Sequence, residues 1–119
     1  MYQSKFCISS KGMSDLKNLL KNYLKRHSTL YCKALKRKVS LAKLPDAIAK
    51  RGKGTKKRLA RFKVAMDILR NAKTYTTRVH HGKREYEIVG IDRTGILVRI
   101  HLREESSSKD RQLFFVSCF

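Results

Sequence analysis

The chain predicts an α+β fold in which N-terminal basic helices pack on a C-terminal four-stranded antiparallel sheet. Two changes near residue 75 carry that expectation. Apolar residues recur at spacings of three and four before it and alternate with period two after it, the marks of helix and strand respectively. Charge divides at the same place: residues 1–75 hold 21 of the 29 Lys and Arg but only 3 of the 9 acids, giving +18 of the net +20. With 119 residues, one modest core and a single domain are expected, 1–75 its basic helical half and 76–119 its sheet half.

The elements follow in order. A short segment, strand or tail, precedes Gly12. Leu16, Leu19, Leu20, Tyr23, Leu24, Leu30, Tyr31, Ala34 and Leu35 then form an apolar stripe, with Ser14 as N-cap, Asp15 in the positive first turn and Lys33, Lys36, Arg37 and Lys38 at the negative end. His27 falls on that stripe and reads as a packed core residue rather than a ligand. Pro45 opens a short helix through Ile48, which Gly52 and Gly54 end at the hinge RGKG. Thr55 caps a further helix carrying Leu59, Phe62, Ala65, Met66, Ile68, Leu69 and Ala72, ending near Lys73.

TTRVHH and REYEIVGI make a hairpin about a turn at Gly82 and Lys83, and Asp92 to Gly95 make the next turn. In ILVRIHL, alternation places Ile96, Val98, Ile100 and Leu102 on one face and Leu97, Arg99, His101 and Arg103 on the other. EESSSKD is a polar loop. RQLFFVSCF is apolar on both faces, so it is a central or covered strand.

A charge of +20 points to a polyanionic partner, because each Lys or Arg on a phosphate releases condensed counterions. Nucleic acid leads; an anionic membrane surface is second. The densest run comprises Lys50, Arg51, Lys53, Lys56, Lys57, Arg58, Arg61 and Lys63, and its glycines let backbone amides approach phosphate. Lys83, Arg84 and Arg103 extend the RNA contacts onto the sheet. GKGTKK lacks the spacing of a nucleotide-triphosphate loop. No apolar run suffices for a membrane span, and the N-terminus lacks the apolar centre of a signal peptide. Cys7, Cys32 and Cys118 form no C-x-x-C pair. They are expected to be reduced and buried, with no metal, no cofactor and a cytoplasmic setting.

RNA carries its own nucleophile in the ribose 2′-hydroxyl. Cleavage therefore needs a base, an acid for the departing 5′-oxygen and cations for the phosphorane charge. The sheet segment supplies His80, His81 and His101, Glu85 and Glu87, Arg78, Arg84, Arg99 and Arg103, Lys83 and Tyr86. If Ile88, Val98 and Ile100 face the helices, strand pairing brings Glu85 or Glu87 beside Arg99 and His101. A one-residue slip would put Tyr86 there instead. The bland alternative is a solvated sheet face with ordinary Glu–Arg pairs.

The run from Lys63 to Phe119, with a helix ending ILRNAKTY, strands HGKREYEIVGID and RTGILVRIHLR, and a last strand LFFVSCF, resembles the barnase/EndoU/colicin/RelE superfamily of small ribonucleases. That resemblance implies metal-independent cleavage of tRNA, mRNA or rRNA in a toxin or phage-associated role. It puts His80 or His81 at the first-strand histidine position, Arg99 and His101 at the third-strand basic positions, and Ser117 at the small hydroxyl position of the last strand. The expected function is a toxin-like endoribonuclease with an acidic inhibitor or antitoxin as further partner; the alternative is a noncatalytic RNA- or ribosome-binding protein.

Overall fold

The computed structural model describes residues 1–42, 55–107 and 110–118. The short helix expected from Pro45, the RGKG hinge, and Lys50, Arg51 and Lys53 lie outside the described residues. In chain order the elements are β1 (Tyr2–Gln3), α1 (Met13–Arg26), β2 (Thr29–Cys32), β3 (Arg37–Ser40), α2 (Thr55–Asn71), β4 (Thr76–His80), β5 (Lys83–Ile91), β6 (Leu97–Ser107) and β7 (Asp110–Cys118). The α+β class holds, but the four-stranded antiparallel sheet is corrected to one mixed sheet of seven strands among the described residues.

Its order is β1-β5-β6-β7-β3-β2, with β4 on the same edge of β5 as β1. β1 runs parallel to β5 and β3 parallel to β7; the other pairs are antiparallel. Three strands therefore come from the basic N-terminal part. The helix expected to continue through Leu35 stops at Arg26, where His27 turns to extended backbone at φ −135°. From there Leu30, Cys32 and Val39 are buried while Tyr31 and Lys38 are exposed, a period of two. The apparent three-and-four spacing of Leu30, Ala34 and Leu35 yields because a β2–β3 hairpin satisfies the outer edge of β7, which would otherwise leave its backbone groups unpaired. Lys36 supports the reversal with φ 53°.

The helix over Thr55–Asn71 stands where expected. α2 packs against β1, β2, β5, β6 and β7 on one side and α1 on the other. Hence Leu59, Ala60, Phe62, Val64, Ala65, Met66, Ile68 and Leu69 are all buried around most of the helix, which leaves a narrow exposed stripe through Lys56, Lys63 and Arg70. They meet Ile88, Val98, Ile100, Leu102, Leu113 and Phe115 from the sheet. Gly90 makes the approach possible: a Cβ there would lie 2.8 Å from Ile68.

Three acids pin the periphery. Buried Asp67 accepts from Ser4 Oγ at 2.7 Å, Tyr2 Oη at 3.0 Å and Asn71 Nδ2 at 2.9 Å, tying β1 to α2. Burial, followed by the hydrogen bond to Asp67, pushes the Tyr2 phenol up. Asp92 organises the β5–β6 turn by accepting from the Thr94 and Ile96 amides and the Thr94 hydroxyl, and it also takes the Ile8 amide. Glu104 accepts from Arg37 at 3.2 Å and Tyr86 Oη at 2.9 Å, joining the inserted hairpin to the sheet.

Two further expectations shift. The β4–β5 turn is formed by His81 and Gly82, at φ 50° and 74°, not by Gly82 and Lys83; both residues in the left-handed region make the two-residue loop that matches strand twist. EESSSKD is strand at both ends, with β6 running to Ser107 and β7 starting at Asp110. β7 is interior, as its two apolar faces predict. Cys32 and Cys118 are buried, whereas Cys7 is exposed because it sits in the loop after β1. Among the described residues no helix is long and apolar enough to cross a membrane.

Candidate functional site on the open sheet face

Helix α2 covers one face of the sheet, so alternation assigns the other. Ile88, Val98, Ile100 and Leu102 are buried under the helix, which sends Glu85, Glu87, Arg99, His101 and Arg103 to the opposite side. The ladder sets their neighbours. Thr76, Glu87, His101 and Ser117 form one row across β4, β5, β6 and β7, and Arg78, Glu85, Arg103 and Phe114 form the next.

In the first row a 2.7 Å hydrogen bond joins His101 Nε2 to Glu87 Oε2, and Arg99 Nη1 lies 3.6 Å from Glu87 Oε1. The His101 and Glu87 side chains are 22% and 29% exposed, open enough for a ligand yet shielded on one side. Ser117 stands opposite His101 in the ladder. The expected Glu–His–Arg grouping is thus assembled, with Glu87 rather than Glu85 as its acid and Tyr86 on the helix-side face.

Glu85 belongs to the second row, where Arg78 donates at 3.1 and 3.2 Å and Arg103 at 3.2 Å. Burial by itself would raise its carboxyl, but the hydrogen bonds and charges of the two arginines overcome that and hold it below the ordinary 4.5. Asp92 behaves alike: desolvation is outweighed by the Thr94, Ile96 and Ile8 hydrogen bonds, and its carboxyl sits below 3.8. Both folded values are depressed. Their contribution to stability is present above the unfolded values and drains away as pH falls through the folded ones. Thermal melts are therefore expected to drop as pH falls below about 4, and Glu85→Gln should lower the neutral-pH melting temperature while flattening that decline. An equal acid slope in wild type and Glu85→Gln would remove Glu85 from the account.

Other predicted site residues fall elsewhere. His80 pairs with Lys83 two rows from His101, roughly 13 Å along the strands. His81 occupies the hairpin tip beyond it, exposed. Neither backbone position shares a row with the Glu87–His101 pair. Lys83 lies 3.7 Å from Glu105. Arg84 alternates with Glu85 and so lies on Tyr86's side of β5. Lys56 and Lys57 are exposed at the start of α2, while Arg58 and Arg61 are half-buried. The start of α2 adjoins the end of β7, where the Cys118 thiol donates to the Arg58 carbonyl at 3.4 Å. Burial pushes that thiol up to about 12 despite Arg61 and Arg58, which keeps it protonated and unreactive.

Sequence reasoning missed Arg37, Lys38 and Tyr31, because it read their segment as helix; the signal available was the alternation of Leu30, Cys32, Val39 and Leu41. Among the described residues no three His, Cys, Asp or Glu side chains gather as a metal would require. No family model, curated protein or solved structure matches the chain.

Proposed function

We propose that the chain is an endoribonuclease that uses the substrate's 2′-hydroxyl, acting at the row of Glu87 and His101. One observation carries the reading: a hydrogen-bonded imidazole–carboxylate pair with a guanidinium beside it, displayed on an open sheet face of a +20 protein. The pair takes the 2′-hydroxyl proton, the 2′-oxygen bonds to phosphorus, and the bond to the 5′-oxygen breaks. The 5′-oxygen leaves with a proton from solvent, which reaches this open face. Arg99 meets the charge on the phosphorane, with Arg103 in the adjoining row. Lys56 and Lys57 hold flanking phosphates. An acidic inhibitor protein fits the same charge and would associate quickly.

The test uses the full chain in EDTA with a labelled, unstructured RNA and with the same RNA carrying 2′-deoxyribose throughout. Cleavage of the first to 2′,3′-cyclic phosphate ends, with the second intact, is expected. Binding of both without cleavage of either would leave a noncatalytic RNA-binding protein.

A further inference from the structure

The face that carries Glu87 and His101 continues across β7 and β3 to β2. Phe114 stands opposite Arg103, Ser40 beside Phe114 and Thr29 opposite Ser40, and one step along the hairpin Lys38 pairs with Tyr31. Burial fixes the direction. Leu30, Cys32, Val39 and Leu113 all point beneath the sheet, at 3%, 0%, 0% and 1% exposure. Tyr31, Lys38 and Phe114 therefore project from the face of His101.

Tyr31 is 55% exposed on the outermost strand. Tyr75 is also exposed, but its ring packs edge-on against Tyr86. No ring contact, hydrogen bond or ion pair engages the Tyr31 side chain among the described residues. An aromatic plane is thus held outward, more than half exposed, next to an exposed lysine.

Resting on the ribonuclease reading above, we propose that this extension is a base-binding track and that the substrate is unpaired RNA, with one base stacked on Tyr31 and the adjoining phosphate against Lys38. Aromatic platforms beside cations suit single strands, since every base has a face to stack and a duplex keeps those faces inside its own stack. Three strand spacings, about 14 Å, separate β2 from β6. The stacked base accordingly lies a few nucleotides from the phosphate that is cut. A contact so far from the reacting atoms is made equally before and during reaction, so its loss raises KM and leaves kcat in place.

The experiment separates binding from cleavage. Anisotropy of a labelled, unstructured 2′-O-methyl RNA of roughly 12 nucleotides, which offers no 2′-hydroxyl, reports affinity; ordinary RNA of the same sequence reports turnover. Tyr31→Ala and Tyr31→Leu should weaken binding about 10-fold and raise KM alike, Tyr31→Phe should match wild type, and a blunt duplex should bind at least about 10-fold more weakly than the strand. Melting curves should be unchanged, because the side chain is exposed. Wild-type affinity in Tyr31→Ala, or equal affinity for duplex and strand, overturns the track. Tyr31-dependent binding with no cleavage of ordinary RNA sinks the enzyme and keeps the stacking site; cleavage indifferent to Tyr31 does the reverse.

Discussion

Replacing His101 by Ala is expected to lower the rate of RNA cleavage on the order of 100- to 10,000-fold while leaving the fold intact, the range lost when a positioned proton-transfer group is removed. The imidazole lies 2.7 Å from Glu87 on the face away from the core, and the His101 backbone pairs with that of Ser117. Loss of the cross-strand contact with Glu87 is worth about 0.2 to 1 kcal/mol. Arg99→Ala should cost about 2 to 4 kcal/mol of transition-state stabilisation, on the scale of a deleted oxyanion donor. That side chain is 49% exposed, so its melting curve should hardly move. Single-turnover cleavage on each purified variant, with melting followed by circular dichroism, checks both. Full activity in His101→Ala would move the chemistry off this row.

Ile100→Ala should do the opposite. Ile100 is fully buried between Arg99 and His101 in sequence, faces α2, and sits across from Ile88 on β5 and Cys118 on β7. Truncation leaves a cavity that the sheet and helix close only in part, for a loss of about 2 to 5 kcal/mol and a fall in Tm on the order of 10 °C or more. At a temperature where the variant stays folded, cleavage should remain near wild type. Adjacent residues on one strand would then separate stability from activity. A neutral Ile100→Ala beside a destabilising Arg99→Ala would invert the assignment of faces.

Those opposite phases are legible in the residues themselves. In ILVRIHL, Val98, Ile100 and Leu102 alternate with Arg99 and His101, and once Ile88 takes the inward side on β5, Glu85 and Glu87 both share the face of His101; the strand register then pairs Glu87 with it. Thr55–Asn71 is equally readable, since so many of its side chains need burial that no strand could hide them. The interior place of β7 follows from its two apolar faces. The segment after Arg26 is not legible as strand. Leu30, Ala34 and Leu35 fit a helical stripe as well as a hairpin, and what decides between them is the open edge of β7, more than 70 residues away in sequence. β1 is the same kind of case: two residues become a strand because Ser4, Tyr2 and Asp67 bind one another and the edge of β5 accepts them.

By itself the sequence determined the α+β class, the concentration of positive charge before residue 75 and the burial phase of β5 and β6, which left Glu85 and Glu87 as the carboxylates able to share the face of His101. These depend on local period and composition, which a chain carries wherever it is read. Tertiary structure alone decided that the sheet has seven strands, that His80 and His81 stand apart from His101, and that Tyr31 and Lys38 extend the face that bears it. Those outcomes turn on a turn register shifted by one residue and on edges seeking partners from distant chain, and such long-range pairings leave no periodic trace in the residues that make them.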